Sequence, residues 1–521
     1  MIKLLTLLVG ILLFVQVTFA QSQASTGNIE GRVVDPQGAA VPNVSVTTRN
    51  QDTGFEKTVN SNEDGTYTIV LLPSGNYRVT TAALQGFGAA TYENVPVTVG
   101  GKTALEINLS VGTGTTVVDV RAEGEIVETT RTSVSTTVEE RSIVNLPVNG
   151  RNFLDFATLT PGVIRDPTRA GDLAVGGQKG TLNSIQVDGT DNNNTFFGQS
   201  LGRTGTRPPY QFSIESVKEF QINQNGFSAE FGRAGGAVIN VVTRSGTNEF
   251  SGGAFEFFRD ESLNSNTPIL TARGASRPPS QINQFGGRFG GPIVKDRAFF
   301  FFVYDGQRAN VPQFLDLPNF AAAPAAARAL FLPRINTYQV GTNQDVFLLK
   351  TDITINDSSQ LSVRFNQQNF TGNNNENSGT LSAEEHSGNS IARTTTIAAT
   401  LTSTLSAKLF NEIRAQFARD KEPGEANSDL PEARIQTGAG FFLIGRNNFS
   451  PRETTIKRVQ VIDNLTYIAG NHTLKGGADF NADRIFNFFP GLFTGQYTFN
   501  SYAAFAANTP SAFTQNFPGA G

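Results

Sequence analysis

Imidazole is scarce in this 521-residue chain, where His386 and His472 are the two histidines, and cysteine is absent. Without thiols there is no thiolate nucleophile, no cysteine metal ligand and no disulfide. A catalytic serine needs a positioned base. Both histidines sit in polar, turn-like stretches, His472 directly after Gly470-Asn471 at a hairpin tip, so each reads as a solvated surface residue. Neither has a second histidine nearby with which to converge on a metal. The carboxylate pairs Glu139-Glu140 and Glu384-Glu385 are adjacent in sequence and also read as solvated surface. Gly101-Lys102-Thr103 has the ending of a phosphate-binding loop, but Pro96 stands where that motif needs its earlier glycine. The expectation is a protein that is not an enzyme, with no metal site and no cofactor.

The elements around these residues are mostly β. Forty-two Phe and 52 Gly with no Trp favour turns and pleated surfaces over helix bundles. The formal net charge of −4 shows no basic footprint, so nucleic acid is not an expected partner. Lys3, an apolar run over residues 4–17 and the small residues Thr18 and Ala20 have the layout of a cleaved signal peptide, residues 1–20. About 14 apolar residues fall short of the roughly 20 a spanning helix needs. No later run reaches that length either, so the exported chain is soluble or embedded as strands.

Residues 27–110 read as short alternating strands at 29–35, 44–49, 66–71, 77–81 and 104–109, joined by Asp35-Pro36-Gln37-Gly38 and Glu63-Asp64-Gly65 turns. Tyr67, Ile69 and Leu71 share one face, as do Leu105, Ile107 and Leu109, the pattern of a two-sheet sandwich of seven strands. Gly31-Arg32-Val33-Val34-Asp35, Asp64-Gly65-Thr66-Tyr67 and Pro73-Ser74-Gly75-Asn76-Tyr77 resemble the carboxypeptidase regulatory-like domain. That fold is shared with some carbohydrate binders. No ligand constellation is visible, so a structural spacer is expected.

Residues 111–248 alternate polar segments with Gly and Asn clusters. Asn145-Leu146-Pro147-Val148-Asn149-Gly150-Arg151-Asn152-Phe153, then Pro161-Gly162, Val187-Asp188-Gly189 and Gly232-Arg233-Ala234-Gly235-Gly236 resemble, in order, the plug of Oar-like TonB-dependent outer-membrane receptors. The resemblance implies an α+β plug and a periplasmic partner, the TonB energy-coupling complex. The expected contact for that partner is Thr115, Thr116, Val117, Val118, Asp119, Val120, Arg121 and Ala122, because an extended β-branched stretch at a flexible junction can add a strand to another sheet. An ordinary linker, or a last strand of the sandwich, is the alternative for the same residues.

Residues 249–521 carry alternating segments of about 10 residues, as in membrane-spanning strands. In the hairpin 346–368, Phe347, Leu349, Ile353 and Ile355 oppose Lys350, Asp352 and Thr354, and Leu361, Val363 and Phe365 oppose Arg364 and Asn366. In the next, Ile397, Leu401, Ile413 and Phe417 oppose Thr400, Glu412, Arg414 and Gln416. Charged inward and apolar outward suits a wet lumen within lipid. Residues 286–302 resemble an early barrel hairpin of the same receptors, and residues 372–379 read as an extracellular loop. About nine such segments follow residue 248, against the roughly 22 strands of a plugged barrel, so the barrel is expected to be incomplete. The resemblance thus implies a receptor that takes up a large or scarce extracellular substrate across the outer membrane, in contact with outer-membrane lipid. A secreted carbohydrate-binding or adhesion protein built from β modules is the alternative.

Overall fold

The computed structural model describes residues 25–517 apart from 85, 113–115, 120–132, 167–171, 199–207, 267, 273, 275 and 471. The signal-peptide reading and Thr115, Val120, Arg121 and Ala122 lie outside the described residues.

The first unit folds as two facing sheets because several of its strands, Ser45–Asn50 and Gly75–Thr81 among them, bury alternate side chains against the opposite sheet. Its strands are β1 (Thr26–Val34), β2 (Ser45–Asn50), β3 (Glu56–Asn60), β4 (Thr66–Pro73), β5 (Gly75–Thr81), β6 (Ala90–Val97), β7 (Lys102–Ala104), β8 (Ile107–Asn108) and β9 (Thr116–Asp119). One sheet runs β4-β1-β7 with β8 also on β1, and the other runs β3-β2-β5-β6-β9. Ile29, Val33, Ile69, Tyr77, Val79 and Ile107 fill the space between them. Eight strands precede residue 110, where seven were expected. The polar β3 and the Pro96-containing β6 gave too weak an alternation to be seen in sequence. A second correction concerns Leu71, which leaves the face of Tyr67 and Ile69. Its backbone is left-handed at φ 58°, and the side chain packs away from the sandwich with Val70, against Phe410.

The middle unit is built on a five-stranded sheet, order β10-β15-β16-β13-β14. These strands are β10 (Val134–Val138), β13 (Ser184–Val187), β14 (Thr190–Asp191), β15 (Val217–Asn225) and β16 (Val238–Thr243), with β11 (Val163–Arg165) and β12 (Leu173–Val175) forming a separate pair. β16, Val-Ile-Asn-Val-Val-Thr, is buried at every residue, as a β-branched central strand should be. The core of this unit includes Phe153, Phe220 and Ile239, and continues into Phe301, Val303 and Leu348 of the large sheet.

That large sheet has nine antiparallel strands in sequence order: β17 (Ser251–Asp260), β18 (Gln281–Val294), β19 (Ala298–Gln313), β20 (Tyr338–Asn356), β21 (Ser359–Glu376), β22 (Gly388–Thr404), β23 (Leu409–Ala426), then β26 (Arg452–Ala469) and β27 (His472–Phe488). Leu349, Phe365, Ile397 and Phe417 are exposed on one face, while Lys350, Arg364, Glu412 and Arg414 are buried on the other, under the middle unit. The strands run longer than the 10-residue segments read from alternation, reaching 19 residues in β20, because polar residues continue the ladder beyond the apolar band. β21 thus extends into the stretch read as a loop at 372–379, and its last residue, Glu376, is fully buried against Arg452 at 2.9 Å.

Tight turns join the strands at one end, at 295–297, 357–358, 405–408 and at Gly470. Long connections emerge at the other end. There β24 (Glu432–Thr437), β25 (Gly440–Ile444), β28 (Gln496–Phe499) and β29 (Ala512–Thr514) form a separate small sheet. It packs on Phe331, Phe442 and Tyr502 as an apolar lobe. His386 belongs to this end and is 2 % exposed, which overturns its reading as a solvated residue. His472 is exposed as the first residue of β27, at the opposite end.

Candidate functional site

The residues with the densest chemistry line the contact between the middle unit and the buried face of the large sheet. Asp188 and Gly189 form the two-residue turn between β13 and β14, with φ of 49° and 74°. An Asp-Gly pair takes positive φ at both positions readily, which is why this dipeptide closes the hairpin. The turn aims the Asp188 carboxylate at the wall. It accepts from Thr243 N at 2.9 Å and Thr243 Oγ1 at 2.8 Å, and lies 3.1 Å from Arg364 Nε and 3.9 Å from Lys350 Nζ. Burial opposes the charge, but Lys350, Arg364 and the two Thr243 hydrogen bonds outweigh it and hold the carboxyl below its ordinary range. Arg364 also donates to Val187 O and Thr190 Oγ1, both at 3.3 Å, so it grips the whole turn.

Asp191 anchors a second cluster. Arg458 Nη1 lies 3.2 Å from its carboxylate and Arg233 is ion-paired to it, while Arg458 Nε reaches Asp483 at 2.9 Å. Its backbone is fixed as well: Asp191 N donates to Gln460 Oε1 at 3.0 Å and Asp191 O accepts from Gln416 Nε2 at 2.8 Å. Glu230 makes a third cluster with Arg414 at 3.6 Å and with Lys475. Each cluster sets a carboxylate of the middle unit against cations of the wall.

The Asn149–Arg151 turn supplies a fourth contact, at the first strands of the sheet. Gly150 and Arg151 are both left-handed, φ 79° and 52°. The Arg151 guanidinium lies 4.5 and 4.4 Å from the Phe255 and Phe257 ring centroids and donates to Glu215 Oε1 at 2.6 Å. Glu215 in turn holds Arg288 of β18 at 2.8 Å. Asn152 caps the following turn by accepting from Leu154 N at 3.1 Å, and Phe153 packs edge-on to Phe220 in the core.

The remaining motif residues serve the fold of the middle unit. Gly162 takes φ 80°, Pro161 O accepts from Gln224 Nε2, and Gly235 and Gly236 both donate backbone N–H to Leu182 O. A Cβ on Gly236 would meet Asn183 Oδ1 at 2.5 Å. Leu146 is exposed beside Pro147, and both line a cleft with Phe257 and Gln284, whereas a Cβ on Gly232 would meet open space. Motif reading therefore located Asp188, Arg151 and Arg233 but missed Asp191 and Glu215, single acidic residues with no periodicity of their own. Strand alternation placed Lys350, Arg364 and Arg414 inward without naming their partners. Thr116–Asp119 is neither at the wall nor in the middle unit: it is β9 of the first unit.

Comparison with known proteins places this geometry. The model of the outer membrane beta barrel domain matches residues 242–314 and 309–520, more than half of the chain, and that of the carboxypeptidase regulatory-like domain matches residues 28–110. The TonB-dependent transporter Oar of Myxococcus xanthus is 26% identical over 366 residues, which cover 68% of this chain and 31% of that protein. The outer membrane transporter YddB from Escherichia coli superposes with a TM-score of 0.54 at 14% identity, covering 73% of this chain and 51% of that one. The siderophore receptor PirA from Acinetobacter baumannii gives 0.49 at 16% identity over 68% of this chain and 48% of that one. The chain thus spans about a third of the length of its curated relative and about half that of these solved structures.

Proposed function

Since the chain belongs to the outer membrane beta barrel domain family, we propose that it is a TonB-dependent outer-membrane receptor in which the middle unit is the plug of a gated transport path. The observation that carries this reading is the set of buried ion pairs, led by Asp188 with Arg364, that ties the middle unit to the inner face of the sheet. A carboxylate and a guanidinium buried together hold firmly while paired, yet form no covalent bond, so the contact can open and close. β17 and β27 each pair on one side among the described residues. Unpaired backbone groups in hydrocarbon cost several kcal/mol each, so the nine strands read as one arc of a closed barrel. The tight turns face the periplasm together with the sandwich, and the long connections and the Phe331 lobe face outward, where a large or scarce substrate would arrive. Export follows removal of residues 1–20.

TonB is proposed to contact the 115–122 segment through backbone hydrogen bonds. The test is capture of the detergent-solubilised chain by the immobilised periplasmic domain of TonB. Val118→Pro removes a donor and should lower capture at least tenfold. Capture that Val118→Pro leaves unchanged moves the contact elsewhere, and a parent chain that is never captured overturns the TonB-dependent reading.

A further inference from the structure

The proposed TonB-contact segment is already a strand of another sheet. β9 lies parallel to β6, with Cα partners running from Ala90 with Thr116 to Glu93 with Asp119. It is the edge strand of the sandwich's five-stranded sheet, and among the described residues nothing pairs with its other side.

The sandwich is itself pinned, and to both of its neighbours. Lys218 Nζ of β15 donates to Ser74 O at 2.6 Å, and Val99 N donates to Glu219 Oε1 of the same strand at 2.8 Å. On the wall side, Val70 and Leu71 pack on Phe410 and Ile468 at the tight-turn rim, and Lys57 Nζ sits 4.4 Å from the Phe410 ring centroid. This domain is therefore docked between plug and barrel, where a spacer would hang free.

We infer that the sandwich is an autoinhibitory clamp, holding Thr116–Asp119 as its own edge strand so that a strand-adding periplasmic partner can use the segment only after it leaves β6. The inference rests on the TonB reading of residues 115–122. The load path argues for release. A partner added to the outer side of the docked strand would pull on the sandwich, which is pinned to the rim at β23 and β26 as well as to β15, so the load would be shared with the barrel wall. A freed strand passes the pull along the chain to β10, the edge strand of the plug sheet. A segment docked nine-tenths of the time lowers the partner's apparent affinity about tenfold, and one docked 99 parts in 100 about a hundredfold.

Because the chain has no cysteine, every thiol can be placed. Thr91→Cys with Val117→Cys occupies register partners of β6 and β9. The full chain carrying both, in detergent, is oxidised and presented to the immobilised periplasmic domain of TonB. The expected result is efficient cross-linking, at least a tenfold loss of capture and recovery on reduction, with each single-cysteine variant unaffected. The second register pair, Glu93→Cys with Asp119→Cys, repeats the test if the first disturbs folding. Failure of both pairs to cross-link overturns the docking. Cross-linked chains captured as well as reduced ones overturn the competition and leave the TonB reading standing. Reduced and parent chains that are never captured sink both.

Discussion

Asp188 and Arg364 are 176 positions apart in the chain, and their charged groups lie 3.1 Å apart where the middle unit meets the sheet. Both are enclosed by protein, so Asp188→Asn leaves Arg364 without a counter-ion, while Arg364→Met leaves Asp188 with Lys350 at 3.9 Å. Asp188→Asn should destabilise the contact by about 3–5 kcal/mol, Arg364→Met by less because Lys350 and Thr243 stay on the carboxylate, and the double variant should cost clearly less than the two together. Denaturant unfolding followed by circular dichroism measures this, the chain having no Trp for fluorescence. Additive costs would show that the two groups act independently.

Arg151 should not tolerate lysine. Its planar guanidinium lies over Phe255 and Phe257 while donating to Glu215, an arrangement that an ammonium cannot reproduce. Glu215 keeps Arg288 and is not orphaned, so Arg151→Lys should cost only about 1–2 kcal/mol. Thermal melting of the two chains in the same detergent decides it, with equal melting temperatures as the contrary result.

Docking of the sandwich should strengthen with rising pH. Burial of Lys57 against the rim lowers its pKa from 10.5 to about 7. The undocked group binds a proton that the docked group holds less readily, so the Lys57 contribution grows from about pH 7 and is complete above 10.5. Protease nicking between sandwich and barrel, followed across that range, should slow as pH rises. Lys57→Met should flatten the profile, and a parent profile that is already flat would count against Lys57 as its source.

The Phe331 lobe holds two buried groups with opposite pH signatures. Burial lowers His386 from 6.5 to about 4, so its contribution to stability falls as pH drops through that window. Burial also raises the pKa of Glu432, whose Oε1 is 3.9 Å from His386 Nε2, and its contribution grows as pH drops toward the ordinary carboxylate value. Glu432→Gln should therefore leave a lobe that weakens on acidification from pH 6.5 to 4, and His386→Gln one that strengthens. Hydrogen exchange of residues 432–444 reads both slopes, and parallel slopes would refute the assignment.

Much of the architecture was legible without coordinates, because strand structure is a local, period-two property. Leu349 and Lys350, or Ile413 and Arg414, must face opposite ways on any pleated strand, and turn chemistry at Asp188-Gly189 needs only two residues. Partner choice is not local. Nothing near Asp191 in sequence indicates Arg458, and nothing near Glu230 indicates Lys475, because those contacts depend on how the middle unit seats against the sheet. The same holds for His386, polar in its neighbourhood yet buried by strands that arrive 46 and 54 residues later, at Glu432 and Gly440. It also holds for Thr116–Asp119, which in sequence suits a strand added to a partner, an ordinary linker or a last strand of the sandwich. The sequence alone determined a β-branched stretch at a junction; the tertiary structure decided that it is a strand and that β6 is its partner, since the free edge of a folded sandwich offers unsatisfied backbone groups.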